Sequence, residues 1–236
     1  MTRRHDRAPW RHQVVPDRRP AASRLLYDID TAVLDDPVGH SLRGRHANLA
    51  RRLGNAATYQ TGVATFATVT LEPTKADWDD LAVLLGRGEL ADLFSAPVTP
   101  PADWAPVFDL AGFQMVLDRP PAGPAVPAGE IVELGPADVG DMLALTDLAR
   151  PGPFWTRTIE LGTFYGVREA GALVAMAGER LQPPGWTEIS SVCTAPHARG
   201  RGLAAHVVRA AVDGITAGGG RPFLHVAAKN LGAIRL

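Results

Sequence analysis

Between Val192 and Ala205 the chain reads Val-Cys-Thr-Ala-Pro-His-Ala-Arg-Gly-Arg-Gly-Leu-Ala-Ala. A β-rich stretch enters this segment, glycines 200 and 202 interrupt it, and a helical apolar periodicity follows. Glycines let backbone N–H groups converge without side chains in the way. Here they also open a helix, whose first N–H groups are unpaired and whose dipole favours an anion. A pyrophosphate is the natural guest of such a loop, and Arg199 and Arg201 add positive charge.

Other chemistries fit less well. A P-loop needs a Gly-Lys pair, and the sequence contains none. The string Gly200-x-Gly202-x-x-Ala205 satisfies the dinucleotide fingerprint by letter. That fingerprint also needs an acidic residue about 20 positions on for the ribose. Residues 214–236 hold no Asp or Glu, so a nicotinamide-dependent oxidoreductase ranks third among the functional readings. Cys193 near His197 could form a thiol–imidazole pair, but strand alternation places Cys193 in packing. His40 and His46 are not at the i, i+4 spacing of helical metal ligands, and no metal is expected. His206 and His225 read as core-edge histidines. Ser190 and Ser191 could bond a substrate or satisfy neighbouring strands, and both readings stay open.

These residues need elements to position them. In the second half, strands are expected over 130–134, 164–168, 173–181, 186–194 and 223–227. Helices are expected over 137–149 and 201–217, with a short one at 156–161. Glu169-Ala-Gly171 reads as a hairpin turn, and Asn230 as the cap of a last helix. In the first half, 41–54 reads as a helix with a solvated arginine face, and 59–71 and 107–117 as extended. Asp77 is the expected cap of a helix ending near Gly86 and Gly88. The Pro- and Gly-rich run from Arg119 to Gly129 marks a linker. The expected organisation is therefore a basic leader (1–24), an N-terminal half (25–118), the linker (119–129) and a C-terminal domain (130–236).

Composition agrees with a soluble protein of 236 residues, 46 % hydrophobic and 21 % charged, with a net charge of −1. Residues 1–24 carry seven arginines against Asp6 and Asp17, so the remainder is acidic. With Pro9, Pro16 and Pro20 this arm reads as a disordered leader, and the acidic body argues against nucleic-acid binding. No apolar run approaches the ~18 residues of a membrane span, and no secretory signal opens the chain. A single cysteine excludes an internal disulfide framework. A cytoplasmic location is expected.

Arg199-Gly-Arg-Gly-Leu-Ala204 resembles the R/Q-x-x-G-x-G/A loop of the GNAT N-acetyltransferase superfamily. Val192-Cys-Thr-Ala-Pro196 is similar to that family's strand with a proline-containing bulge. Phe223–Ala227 with Asn230 and Ala233 is similar to its next strand and N-x-x-A helix start. The resemblance covers 130–236, is closest to the FR47-like branch, and reads 25–118 as a degenerate N-terminal half. It implies an α/β (α+β) fold with a mixed central sheet flanked by helices.

The resemblance also implies an acyl-CoA cofactor, acetyl-CoA in the first instance, and direct transfer to the amine of a small molecule or peptide. The pyrophosphate would lie on the amides of Arg199, Gly200, Arg201, Gly202, Leu203 and Ala204, with Asn230 nearby. The pantetheine arm would pair with the strand edge at Val192, Cys193 and Thr194. Acyl transfer needs a base, for which Glu188 is the first candidate and Glu179 the second. In the family a tyrosine follows at what would be position 237, then two closing strands. On the sequence alone the last helix and these strands are missing, Phe223–Ala227 presents an unpaired edge, and weak CoA binding, impaired catalysis and self-association are expected, with room for a homodimer. The competing reading is a non-catalytic CoA-binding or interaction protein.

Overall fold

The computed structural model describes residues 31–86, 88–94, 99–107, 109–117 and 130–235. The expected leader (1–24) and linker (119–129) lie outside the described residues.

The first half differs locally from expectation. Asp36 accepts a hydrogen bond from the Gly39 amide at 2.9 Å and starts a short helix, α1 (Pro37–Arg43), which Gly44 ends. The expected helix over 41–54 is therefore incorrect. Ala50–Leu53 (β1) turns at Gly54 (φ 54°) and pairs antiparallel with Ala56–Tyr59 (β2). Arg43, Arg45, Arg51 and Arg52 are solvent-exposed as expected, and Arg51 also bonds the Leu84 carbonyl and Arg52 the Leu42 carbonyl. Phe66–Thr68 (β3) adds antiparallel to β2, a shorter strand than the 59–71 expected. Helix α2 (Lys75–Leu85) is capped by Thr74 rather than Asp77. Asp77 sits three positions in and accepts from the Thr74 amide at 2.8 Å, closing a capping box. Asp92–Leu93 (β4) pairs parallel to β3, giving a four-stranded sheet in the order β1-β2-β3-β4.

The second sheet holds Gly112–Val116 (β5), Ile131–Leu134 (β6), Phe164–Glu169 (β7), Ala172–Glu179 (β8), Trp186–Thr194 (β9) and Arg221–Ala227 (β10). Its six strands run in the order β5-β10-β9-β8-β7-β6. Only β9 and β10 pair parallel; the other neighbours are antiparallel. The β7–β8 hairpin turns at Ala170 and Gly171, both with positive φ, as Glu169-Ala-Gly171 foretells. Helix α3 (Val139–Ala149) follows β6, α4 (Leu203–Ala217) follows β9, and α5 (Leu231–Ile234) follows β10. The α4 stripe Leu203, Val207, Ala211, Val212 and Ile215 is buried with Met142 and Leu145 of α3 and with Ala175, Ile189 and Cys193 of the sheet. Each large side chain so buried contributes about 1.5–3 kcal/mol.

The expected bare edge on Phe223–Ala227 is also corrected. Strand β5 pairs with it along its length, from Phe223↔Val116 to Ala227↔Gly112. The sheet therefore crosses the expected boundary, because β5 precedes the linker in sequence. The two halves also share a core in which Leu34, Val38, Leu42 and Tyr59 pack with Leu161, Leu181, Trp186 and Phe223. Polar contacts cross the same seam: the Gln182 amide donates to Ser41 Oγ at 2.8 Å, and Thr158 Oγ1 donates to the Val63 carbonyl at 2.9 Å.

Candidate functional site

The parallel pair is short. Strands β9 and β10 share three register pairs, Arg221↔Trp186, Pro222↔Thr187 and Phe223↔Glu188. Beyond them β10 continues alongside β5 while β9 continues alongside β8 as far as Thr194. The β8–β9 register moves from Gly178↔Ser190 to Met176↔Cys193, so Ser191 and Val192 form a bulge, with Ser191 at φ 54°. A bulge bends its strand, which is how one edge swings away from its neighbour. The sequence reading placed this bulge at the proline. Pro196 instead opens a 3-10 turn, Pro196–Ala198, that leads into the glycine loop.

Gly200 and Gly202 both lie at left-handed φ, 76° and 77°, and a Cβ built on either meets nothing within 4 Å. These are positions where glycine is required by conformation and where the space above the backbone is open. Gly202 starts α4 with no side-chain cap, and the helical ladder begins with the His206 amide on the Gly202 carbonyl at 3.1 Å. The amides of Leu203 and Ala204 therefore have no partner within the helix. The two arginines turn back onto the protein. Arg199 Nε donates to the Thr194 carbonyl at 3.3 Å, and Arg201 forms a two-pronged pair with Glu169 at 2.5 and 3.0 Å. Such a cradle fits the diphosphate of CoA through backbone amides rather than arginine tips.

Along the β9 edge, Cys193 is buried against the Met176 backbone, and burial pushes its thiol up to about 12. A thiol so held is inert, in line with its expected packing role. The Thr194 hydroxyl is buried without a hydrogen-bond partner. Asn230 Oδ1 accepts from the Ala233 amide at 3.1 Å and caps α5 as expected, so its side chain is engaged at that helix start.

Glu188, the first carboxylate candidate, sits at the last β9–β10 pair and is 0 % exposed. Arg180 grips it from one side, with Nε at 2.7 Å from Oε2 and Nη2 at 2.5 Å from Oε1. His225 Nδ1 lies 2.6 Å from Oε1. Burial alone pushes this carboxyl up, but the Arg180 charge and the hydrogen bonds from Arg180 and His225 outweigh it and hold the pKa at about 2. The Arg180 guanidinium in turn lies 4.8 Å from the Phe66 ring centre and 5.2 Å from that of Phe94. His225 meets Phe94 and Phe223 edge-on at 5.1 and 5.7 Å. Its Nε2 is 3.1 Å from Gln114 Nε2 on β5, whose amide nitrogen also donates to the Leu34 carbonyl at 2.9 Å.

Sequence reading set His225 aside as a core-edge residue. The signal that places it lies in the parallel register, since Phe223 opposes Glu188 and His225 shares the face of Phe223 two residues on. Glu179, the second carboxylate, opposes Ile189 and so projects to the sheet face opposite Glu188. Burial raises its pKa, and it accepts from the Thr163 amide and Gln182 Nε2, both at 3.1 Å. The structure does not bring the two carboxylates together. Ser190 and Ser191 lie at the bulge, and among the described residues no group of acidic, His or Cys side chains is arranged to hold a metal.

Comparison with known proteins bears on this geometry. A GNAT-family protein from Novosphingobium aromaticivorans, described as an acetyltransferase, superposes with a TM-score of 0.74 and 38 % identity over 86 % of this chain and 89 % of its own. The chain belongs to the GNAT family. The FR47-like protein family matches residues 164–236. The ribosomal-protein-S18-alanine N-acetyltransferase of Escherichia coli matches at TM-score 0.40 and 19 % identity over 45 % of this chain and 72 % of its own. A Mycobacterium tuberculosis protein solved in complex with CoA matches at TM-score 0.39 and 16 % identity over 45 % of this chain and 69 % of its own. The assignment rests on the first of these structures. No curated protein matches the chain. By resemblance this GNAT protein is an acyl-transfer enzyme. No helix among the described residues is long and apolar enough to cross a membrane.

Proposed function

We propose that this GNAT protein transfers an acetyl group from acetyl-CoA directly to the amine of a small molecule or peptide. The observation that carries the reading is the divergence of β9 and β10 after Phe223↔Glu188, beside a glycine loop that opens α4 without a cap. When bound, the acylated cofactor supplies a thioester activated toward amines. The amides from Arg199 to Ala204 hold its diphosphate, and the edge at Val192, Cys193 and Thr194 pairs with its amide-bearing arm as an added strand would. The unpartnered Thr194 hydroxyl stands on that edge as a further donor. Asn230 acts here through the helix it caps.

The protein's own part in the reaction is to orient both reactants, to keep water from the reacting centre, and to take a proton from the incoming ammonium. Phe66, Phe94 and Phe223 surround the Glu188 cluster and exclude water from it. Glu179, on the opposite face, anchors the turn at Thr163.

The test is acyl-dependent release of free thiol from acetyl-CoA across a panel of amines, run beside thermal protection by CoA. Thiol release that depends on the amine supports transfer. Protection without release on any amine supports the competing CoA-binding protein, and absence of both removes the reading.

A further inference from the structure

A cavity of about 470 Å³ lies at the C-terminal end of α3. Its walls include Thr146, Asp147 and Arg150 at the helix end and Phe154 and Trp155 from the segment that follows. Phe154 meets Phe164 edge-on at 5.8 Å. Phe164 opposes Gly178, where a Cβ would strike its ring, and Gly178 opposes Ser190. Ser190 shares the face of Glu188 two residues back. Trp155 packs on the core that holds Trp186 and Phe223, which belong to the β9–β10 register pairs. The aromatic wall of the cavity therefore stands on the sheet face that carries Glu188.

Arg150 is the unexplained residue of this wall. It ends α3 in the left-handed region, at φ 51° and ψ 57°, a place that glycine fills with less strain. Its amide donates to the Thr146 carbonyl at 2.7 Å, a bond that any residue but proline would make there. Its guanidinium has no hydrogen-bond or ion-pair partner among the described residues, and neither has the Asp147 carboxylate one turn back. The backbone thus has a structural reason to turn at this position, and the side chain has none.

We propose that this cavity recognises the acceptor, that the acceptor is an α-amino acid with an apolar or aromatic side chain, and that Arg150 binds its carboxylate. This rests on the acyl-transfer reading above. A guanidinium offers a carboxylate two parallel N–H donors, which fixes the acceptor in orientation as well as in place. Phe154 and Trp155 supply the apolar surface for its side chain. The volume is in the range that holds a small molecule. Asp147 brings the charge of the wall to zero, so it attracts the acceptor's ammonium and repels a second carboxylate. An amine without a carboxylate leaves Arg150 unanswered, and a dicarboxylic amino acid sets its extra charge against Asp147.

The test compares L-phenylalanine, phenethylamine and L-glutamate as acceptors for thiol release from acetyl-CoA. Beside it, L-phenylalanine is titrated calorimetrically into the full chain at saturating CoA. The wild type should favour L-phenylalanine over both others by at least about 10-fold in kcat/KM. Arg150→Gly suits the left-handed backbone, so it should melt no lower than the wild type and keep its protection by CoA. It should nevertheless raise KM for L-phenylalanine by about 10–100-fold, more than it lowers kcat, and weaken the calorimetric Kd alike. The preference over phenethylamine should fall toward one, and Arg150→Lys should restore part of it as a point charge. A CoA-protected Arg150→Gly variant with wild-type KM and preference overturns the proposal. So does a wild type that turns over other amines and not L-phenylalanine, which leaves acyl transfer standing. Binding of L-phenylalanine that depends on Arg150, without thiol release on any amine, overturns acyl transfer and upholds the amino-acid site. Absence of both binding and release with L-phenylalanine overturns the site.

Discussion

Phe223 faces Glu188 across the last register pair that joins β10 to β9. On one side of that pair the sheet is continuous. On the other side β9 bulges at Ser191 while β10 is held by β5. That pair lies beside the buried cluster in which Arg180 and His225 meet Glu188.

Substitution at the glycine loop separates strain from charge. Gly202→Ala should cost about 1 kcal/mol, because φ 77° is unfavourable for an L-residue, while the open space above it accepts a methyl group. CoA protection should survive that change. Gly202→Asp carries the same strain and adds a negative charge where the diphosphate belongs, so protection by CoA should vanish while the apo protein still melts cooperatively. Thermal shift with and without CoA checks both.

His46 ties the halves together and makes them acid-sensitive. Its Nδ1 meets Tyr59 Oη at 2.8 Å and its Nε2 meets the Leu161 carbonyl at 3.0 Å. Burial, the largest cause, lowers its pKa to about 4, against about 6.5 for an unperturbed histidine. The unfolded chain therefore binds a proton that the folded one refuses. Stability is fully present above about pH 6.5 and is lost as pH falls toward 4, by up to about 3 kcal/mol. His46→Gln should lower Tm at pH 7 and flatten its decline between pH 6.5 and 4. Melting curves across that range decide it.

Much of the second half was legible because local signals agree there. The Gly171 hairpin, the β9 run, the glycine loop and the α4 stripe each specify their element without distant help. The first half misled at 41–54, where leucines at helical spacing lie on both sides of Gly44, which ends α1 after Arg43. What sequence could not supply was pairing at long range. Neither the β5–β10 ladder nor the cluster of Arg180, Glu188 and His225 has a local signature, because each depends on strand register. Glu188 was found from its strand, whereas its two partners become visible only once β8, β9 and β10 are laid side by side.

The β5–β10 ladder carries its own expected outcome. The Leu117 amide donates to the Pro222 carbonyl at 3.3 Å, and the Ala228 amide to the Ala111 carbonyl at 2.9 Å. Alternation then gives the Met115 amide a ladder bond to Leu224, its register partner. Met115→Pro removes that bond and should destabilise by about 3 kcal/mol, with β10 exposed as a free edge. Light scattering after size-exclusion chromatography should show association in the variant that the parent lacks. An equally stable, equally dispersed variant would mean that β5 does not protect β10.

The central claim is that the β9 edge and the start of α4 hold CoA through backbone amides. Hydrogen–deuterium exchange of the full chain, with and without CoA, reads those amides directly. The account predicts slowed exchange at residues 192–194 and 199–204 on adding CoA, and loss of that slowing in Gly202→Asp. Saturating CoA that leaves both segments unchanged, or slows exchange only elsewhere, would contradict it.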